Sequence, residues 1–161
     1  MFKNKQKGFT LIEILIVIGI IALLATIVII AINPARQFAQ ARNTQRVSNA
    51  NTILNGIGQN LADNKGVLGG GCPAIASGIV YTISVGVSAS AVAPATTTID
   101  LSCLVPTYIP GQLPSDPKDG SVTTWPTNYN THYNVTYDSS ALRYTVSSPG
   151  AELSQIISVA R

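Results

Sequence analysis

The sequence is poor in the residue types that build enzyme sites and metal centres. Among its 161 residues there are one histidine, two cysteines and one tryptophan, and only 11% are charged. The single histidine, His132, has no cysteine beside it, and the sequence contains no nucleophile elbow, phosphate-binding loop or metal-ligand spacing. The sequence therefore predicts a protein that is not an enzyme.

The two cysteines, Cys72 and Cys103, are too few for a disulfide-rich scaffold and do not form a CxxC pair. A zinc site is disfavoured because no further ligands stand near them at the usual spacing. The favoured interpretation is a disulfide within one domain, provided that the domain faces an oxidising compartment. Two buried free thiols are the alternative.

The positive charge lies mostly at the N-terminus. Lys3, Lys5 and Lys7 are three of the ten basic residues, and without them the remaining basic side chains equal the seven acidic ones in number. A chain with this balance lacks the basic excess typical of nucleic-acid-binding proteins, so its composition argues against nucleic acid as a partner.

A long apolar run follows these lysines, from Phe9 to Ile32. As a helix it would extend about 36 Å, enough to cross a bilayer core of about 30 Å. The lysines before it predict a cytoplasmic N-terminus and place the rest of the chain outside. A cleaved secretory signal, with 39–41 as the small-residue site, and a plain uncleaved anchor are the alternatives, although the run is longer than the usual apolar core of a signal peptide.

Glu13 lies inside this run, where a carboxylate is costly unless it is neutralised or paired. The acid is therefore a candidate functional residue that needs a partner. The alternative is a side chain that lies at the depth of the lipid headgroups and reaches out to them.

The stretch Lys7-Gly8-Phe9-Thr10-Leu11-Ile12-Glu13, with the apolar run behind it, resembles the N-terminal signal of type IV pilins and of type II secretion pseudopilins. The resemblance covers roughly the first 33 residues. It implies that prepilin peptidase cuts after Gly8 and methylates the new N-terminal amine of Phe9. It also implies that Glu13 serves assembly, and we expect its carboxylate to pair with the Phe9 amine of a neighbouring subunit, which would fix the register.

The chain after the apolar run predicts a second helical stretch. Asn33-Pro34 favours a kink, and Val47, Ala50, Leu54, Ile57 and Leu61 recur at helical spacing. Together the two stretches predict one long helix from about Phe9 to about Leu61. Arg42 and Arg46 share one face of it, which we interpret as solvated, with acids on neighbouring subunits as the alternative partners.

The remaining chain predicts strands. Ile79, Tyr81, Ile83, Val85 and Val87 alternate with small or polar residues, 99–101 has the pattern of a short strand, and 133–137 with 142–146 predict a β-hairpin. The predicted fold is pilin-like α+β, with a long N-terminal helix that spans the membrane in its first half and packs on a small antiparallel sheet. The predicted domains are a cleaved leader (1–8), a transmembrane or filament-core helix (9–33), its amphipathic second half (34–65) and a globular head (66–161).

The turn-rich cluster Leu113-Pro114-Ser115-Asp116-Pro117, with Glu152 near the end of the chain, is similar to the C-terminal part of major pseudopilins. In those proteins this loop region often binds calcium, and Asp116 and Asp119 could supply the oxygen ligands. Lys118 stands where the family usually has tryptophan. Turn-forming aspartates are the favoured interpretation, and a calcium site is the alternative.

The expected function is a structural subunit of a helical filament, a type IV pilus or a pseudopilus, that self-associates after assembly from the cytoplasmic membrane. The resemblance implies a prepilin peptidase, a platform membrane protein and an assembly ATPase as partners, with the head outside the cytoplasm. The turn cluster favours a pseudopilin, whereas the spaced cysteines and the variable middle favour a pilin. A minor or competence pilin whose head binds DNA or a surface is the alternative function.

Overall fold

The computed structural model of the chain describes residues 8–86, 91–95 and 97–161. The chain forms two compact units, one that ends at Phe38 and one that runs from Ala39 to Arg161. The predictions for Lys3, Lys5, Lys7 and Val87 lie outside the described residues.

Helix α1, Leu11–Ile32, is apolar on every side. Every side chain from Leu11 to Ile30 is exposed, and this 20-residue part is long and apolar enough to cross a membrane. A helix in water normally buries one apolar stripe and exposes a polar face. Because residues 11–30 of α1 form no polar face and no buried stripe, their surface is suited to lipid or to other apolar helices.

Helix α2 spans Pro34–Asp63, and Asn33 alone separates it from α1. Asn33 between them is left-handed (φ 48°, ψ 79°), and its side-chain oxygen accepts a hydrogen bond from the backbone N–H of Arg36 at 3.3 Å. Pro34 disfavours the helical conformation of the residue before it but is well accommodated as the first residue of a helix. The predicted kink is confirmed here, and the helix is interrupted rather than continuous.

The second unit contains a six-stranded sheet. In chain order its strands are β1 (Val80–Val85), β2 (Thr97–Ile99), β3 (Ser121–Thr124), β4 (Asn128–Asp138), β5 (Arg143–Ser148) and β6 (Ile157–Ala160). The spatial order is β2-β1-β4-β5-β6, and β3 also pairs with β4.

The predicted hairpin is confirmed as β4 and β5, which pair antiparallel with Tyr137 opposite Tyr144. The sheet is mixed rather than wholly antiparallel, because β2 pairs parallel with β1. Strands β3 and β6 were not predicted, since each has only four residues and too little alternation to stand out.

The core lies between α2 and one face of the sheet. Ile53 and Ile57 of α2 are fully buried against a cluster that includes Ile83, Val135 and Val146 of the sheet. The segment between β2 and β3 closes the core with four buried residues, Leu101, Leu104, Ile109 and Leu113. The predicted packing of helix on sheet is therefore confirmed for the second half of the helix.

The predicted disulfide is also confirmed. Cys72 and Cys103 are bonded across a sequence separation of 31 residues, and both pack against the core cluster. The bond ties the segment after α2 to a 3-10 turn, Ser102–Leu104.

The buried face of α2 differs from the predicted stripe in the first half of the helix. Val47, which the stripe included, is 43% exposed. The buried positions of α2 include polar residues; they are Ala39, Asn43, Arg46, Asn49, Ala50, Ile53, Leu54, Gly56, Ile57 and Asn60. The buried face is therefore mostly polar from Asn43 to Asn49 and mostly apolar from Ala50 to Ile57.

Candidate functional site

The predicted processing site lies at the start of the described chain. Gly8 and Phe9 are exposed, with 85% of Phe9 open to solvent, and a Cβ added at Gly8 would meet no atom within 4 Å. The peptide bond between them is therefore open to the surroundings just before α1 begins. The roles of Gly8 and Phe9 in cleavage and methylation stay predictions.

Glu13 has a partner within its own chain. Its Oε2 accepts hydrogen bonds from the backbone N–H and the hydroxyl of Thr10, both at 2.8 Å, and its backbone N–H donates to the Thr10 hydroxyl at 3.3 Å. This arrangement is a capping box, which satisfies N–H groups that a helix start otherwise leaves unpaired. A negative charge in the first turn also interacts favourably with the helix dipole.

The capping box was not predicted, although its signal is present in the sequence. Thr10-Leu11-Ile12-Glu13 is a threonine followed three residues later by glutamate at the start of an apolar helix, which is the capping-box pattern. Glu13 therefore has one role that the structure displays. The pairing with a neighbouring Phe9 amine stays a prediction.

A buried ion-pair cluster joins α2 to two distant parts of the head. The guanidinium of Arg46 is fully buried and contacts Asp116 twice, from Nε to Oδ2 at 2.7 Å and from Nη2 to Oδ1 at 3.0 Å. Its Nη1 donates to Glu152 and to the side-chain oxygen of Asn43, both at 2.9 Å. A planar guanidinium that binds a carboxylate through two parallel bonds is held in one orientation.

The outer half of the cluster is formed by Arg42 and Glu152. Arg42 binds Glu152 through Nε at 2.6 Å and through Nη2 at 2.7 Å, with about a third of the Arg42 side chain exposed. Asn43 adds two bonds to the backbone of Glu152, one to its carbonyl at 2.8 Å and one from its N–H at 3.0 Å. The two arginines and two acids together carry no net charge.

The pKa values of the cluster follow from these bonds. The hydrogen bonds from Arg42 and Arg46 lower the pKa of Glu152 to about 2. Burial alone would raise the pKa of Asp116, but the bonds from Arg46 and from the backbone N–H groups of Lys118 and Asp119 outweigh it and hold that pKa below its ordinary value. The bonds to Asp116 raise the pKa of Arg46. All four groups are therefore charged at neutral pH.

The interpretation of Arg42 and Arg46 as a solvated face is wrong. Arg46 is as buried as the apolar core, and both arginines pair with acids of their own chain. The partners of Arg46 lie 70 and 106 residues further along the chain. No local pattern could have located them, since helical periodicity shows which residues share a face but not what that face meets.

Of the two aspartates proposed for calcium, Asp116 belongs to the ion-pair cluster, and Asp119 donates its backbone N–H to Asp116. Oδ1 of Asp116 accepts the backbone N–H groups of Lys118 at 2.9 Å and of Asp119 at 3.1 Å, in addition to Arg46. Among the described residues no group of three or more histidine, cysteine or acidic side chains is placed to hold a metal ion. The oxygens of Asp116 are thus engaged by N–H donors, and calcium at Asp116 and Asp119 remains a prediction that this geometry does not support.

The comparisons with known proteins concern the N-terminal segment. A family model described as the prokaryotic N-terminal methylation motif matches residues 3–29, which include Gly8, Phe9 and Glu13. Searches of curated proteins and of solved structures gave no significant match.

This match defines the class of protein, a precursor with a prepilin-type N-terminus of the kind that prepilin peptidase processes. This motif and the apolar helix behind it are the N-terminal mark of the type IV pilin and pseudopilin family. Members of that family are structural proteins rather than enzymes. The motif and the apolar helix together indicate anchoring in the inner membrane before assembly.

Proposed function

We propose that this chain is the structural subunit of a helical filament, a type IV pilus or a type II secretion pseudopilus, that assembles from the cytoplasmic membrane. The observation that carries the proposal is α1. Every side chain from Leu11 to Ile30 is exposed, and the methylation motif covers all but the last of these residues. An apolar surface of that extent requires lipid before assembly and apolar helices of other copies after it.

The proposed partners are copies of the same chain, a prepilin peptidase, a platform membrane protein and an assembly ATPase. The head lies outside the cytoplasm in this proposal. The Cys72–Cys103 disulfide supports that location, because disulfides form and persist mainly in oxidising compartments.

Cleavage after Gly8 creates an amine at Phe9, and this amine is the proposed partner of Glu13 in a neighbouring subunit. An amine and a carboxylate that meet in an apolar filament core offset each other's cost of leaving water. A subunit out of register would leave both charges unpaired. The charge of Glu13 therefore acts on register, whereas its hydrogen bonds with Thr10 act on the helix start.

The experiment expresses the chain in cells that carry an assembly system and measures cleavage, membrane insertion and sheared filaments. We expect Gly8→Arg to leave an uncut precursor in the membrane. We expect Glu13→Ala to be cut and inserted normally but to yield few filaments.

Glu13→Gln separates the two roles of Glu13, because glutamine at this position preserves the capping box and removes the charge. We expect Glu13→Gln to fail in assembly as Glu13→Ala does. Normal filaments from Glu13→Gln would show that the cap rather than the charge matters, and normal cleavage of Gly8→Arg would refute the processing site. Absence of filaments from the parent chain would refute the proposed function itself.

A further inference from the structure

The head presents two apolar side chains on a turn whose backbone conformation is unusual. Gln155 donates its backbone N–H to the Glu152 carbonyl at 3.2 Å, and the two residues between them, Leu153 and Ser154, are both left-handed, with φ of 60° and 56°. A bulky residue rarely adopts this conformation, and such outliers cluster at functional sites. Leu153 is 44% exposed and Ile156 is 95% exposed. We call these two side chains the knob.

The knob is held from beneath rather than left loose. Asn43 of α2 donates to the carbonyl of Glu152 and to the side-chain oxygen of Gln155, both at 2.8 Å, and accepts the N–H of Glu152 at 3.0 Å. Arg42 and Arg46 fix the Glu152 side chain as well. A polar support therefore holds apolar side chains in water, which stability alone does not explain.

A mainly apolar groove of about 280 Å³ lies elsewhere on the same head. It is lined by Leu54, Ile57, Gly58 and Leu61 of α2, by Leu142 and Tyr144 of the β4–β5 hairpin, and by Arg161, whose guanidinium donates to the side chain of Asn55. A Cβ added at Gly58 would meet no atom within 4 Å, so the missing side chain leaves the groove open. Leu142 is 76% exposed and left-handed (φ 51°), so the groove also carries a leucine in an unusual turn conformation.

The knob cannot fill the groove of its own chain. The knob is fixed at Asn43 and the groove centres on Ile57, which lies about 20 Å further along the helix axis at ~1.5 Å per residue. A contact between a knob on one copy and a groove on another uses two different surfaces, and contacts of this heterologous kind generate open helical filaments when the rotation does not close.

We propose that Leu153 and Ile156 of one copy of this chain dock in the groove at Gly58 and Leu142 of a neighbouring copy. This inference rests on the proposed function, because packing of the α1 helices would bring the heads together at high effective concentration. A small contact then suffices, since a second binding event within one assembly behaves as an intramolecular one. The groove volume accommodates an isoleucine side chain with room for a leucine beside it.

The first test fills the groove or places a charge on the knob, and measures sheared filaments at equal amounts of cleaved, membrane-inserted chain. Gly58→Phe fills the groove without a clash at Cβ, and Gly58→Ala is its control. Ile156→Lys places on the knob a charge of the same sign as Arg161 in the groove, and Val67→Lys is its control because Val67 is also apolar and 65% exposed. We expect Gly58→Phe and Ile156→Lys to reduce filaments by about tenfold or more, the factor that burial of one apolar side chain supplies. We expect both controls to assemble like the parent.

The second test is disulfide cross-linking in assembled filaments. A chain that carries both Ile156→Cys and Leu142→Cys should give a ladder of multimers without reductant, whereas each single variant, and Val67→Cys combined with Leu142→Cys, should give none. A ladder from Ile156→Cys alone would overturn the heterologous contact, and a cross-link to a different protein would overturn the choice of partner.

The two proposals fail in different ways. If the parent forms filaments while Gly58→Phe assembles normally and the double cysteine variant gives no ladder, the docking contact is overturned and the filament function stands. If the parent itself forms no filaments in cells with an assembly system, both are overturned.

Discussion

Replacing Arg46 with methionine removes the guanidinium that binds the buried carboxylate of Asp116. Methionine preserves much of the length and apolar character of the arginine stem, so the change removes charge and hydrogen bonds more than volume. Asp116 then keeps the backbone N–H groups of Lys118 and Asp119 but loses both bonds to Arg46. Glu152 loses its bond to Arg46 and keeps Arg42.

The magnitude follows from the burial of the pair, since neither the Arg46 nor the Asp116 side chain is exposed. Removing one partner of a buried ion pair costs about 3–5 kcal/mol, because the remaining charge stays buried without compensation. The two backbone bonds that Asp116 retains place the expected loss near the lower end, at about 3 kcal/mol. Domains are typically stable by about 5–15 kcal/mol, so this is a large share of the total.

The assay is urea unfolding of the detergent-solubilised chain, followed by the fluorescence of Trp125. This residue is the only tryptophan, and its ring lies 4.8 Å from that of Tyr129 in the head. A loss of about 3 kcal/mol lowers the urea midpoint by roughly 1–3 M at the usual dependence on denaturant. Arg36→Met, which changes an exposed arginine of the same helix, should shift the free energy of unfolding by less than about 0.5 kcal/mol.

Asp116→Asn completes a double-mutant cycle. If the two side chains stabilise the head as a pair, Arg46→Met combined with Asp116→Asn costs less than the sum of the single changes, by about 1–3 kcal/mol. Simple additivity, or an Arg46→Met variant as stable as the Arg36→Met control, would refute the argument that this buried pair holds α2 to the head.

Three further predictions use the same unfolding assay. Because the pKa of Glu152 is lowered from 4.5 to about 2, the contribution of its carboxylate to the free energy of unfolding is complete above pH 4.5 and is lost as the pH falls toward 2. The parent should therefore lose stability over this pH range, and Glu152→Gln should lose less. Equal acid sensitivity of the two proteins would contradict the role of the Arg42 and Arg46 bonds. Changing Cys72 and Cys103 to serine should lower the free energy of unfolding by roughly 3–4 kcal/mol through loop entropy, and reduction of the parent should have a similar effect. An unchanged free energy of unfolding in both cases would show that the disulfide does not stabilise the head. Gly56→Ala should destabilise the head by about 1–3 kcal/mol, because the added Cβ would lie 2.8 Å from the Ile109 side chain. Gly58→Ala in the same helix meets no atom within 4 Å and should stabilise the head by about 0.5–1 kcal/mol. A gain in stability from both variants would show that the helix is not tightly packed at Gly56.

Features that depend on neighbouring residues could be predicted from the sequence. The N-terminal motif, the apolar helix and the kink at Asn33-Pro34 are all encoded within a few residues. The β4–β5 hairpin was predictable because two alternating stretches flank a short turn. The disulfide was predictable because the chain has only two cysteines.

Features that depend on distant residues could not be predicted in this way. Arg46 is an expected surface residue by its charge, and only the approach of Asp116 and Glu152 makes its burial favourable. Val47 was assigned to the buried stripe because it is apolar, yet the head presents polar partners at that level of α2 and the helix turns Asn43 and Arg46 toward them. The parallel pairing of β2 with β1 depends on a connection whose path the local pattern does not encode.

The burial of the Arg46–Asp116 pair also determines how the head responds to the ionic strength of its surroundings. Dissolved ions screen charges that face water, over about 8–10 Å at moderate salt, but screen buried pairs much less. Arg42 and Glu152 at the edge of the cluster are partly exposed to this screening, whereas Arg46 and Asp116 are not. A head built in this way keeps its electrostatic attachment to α2 in dilute and in saline media alike, which suits the location outside the cytoplasm that we propose for it.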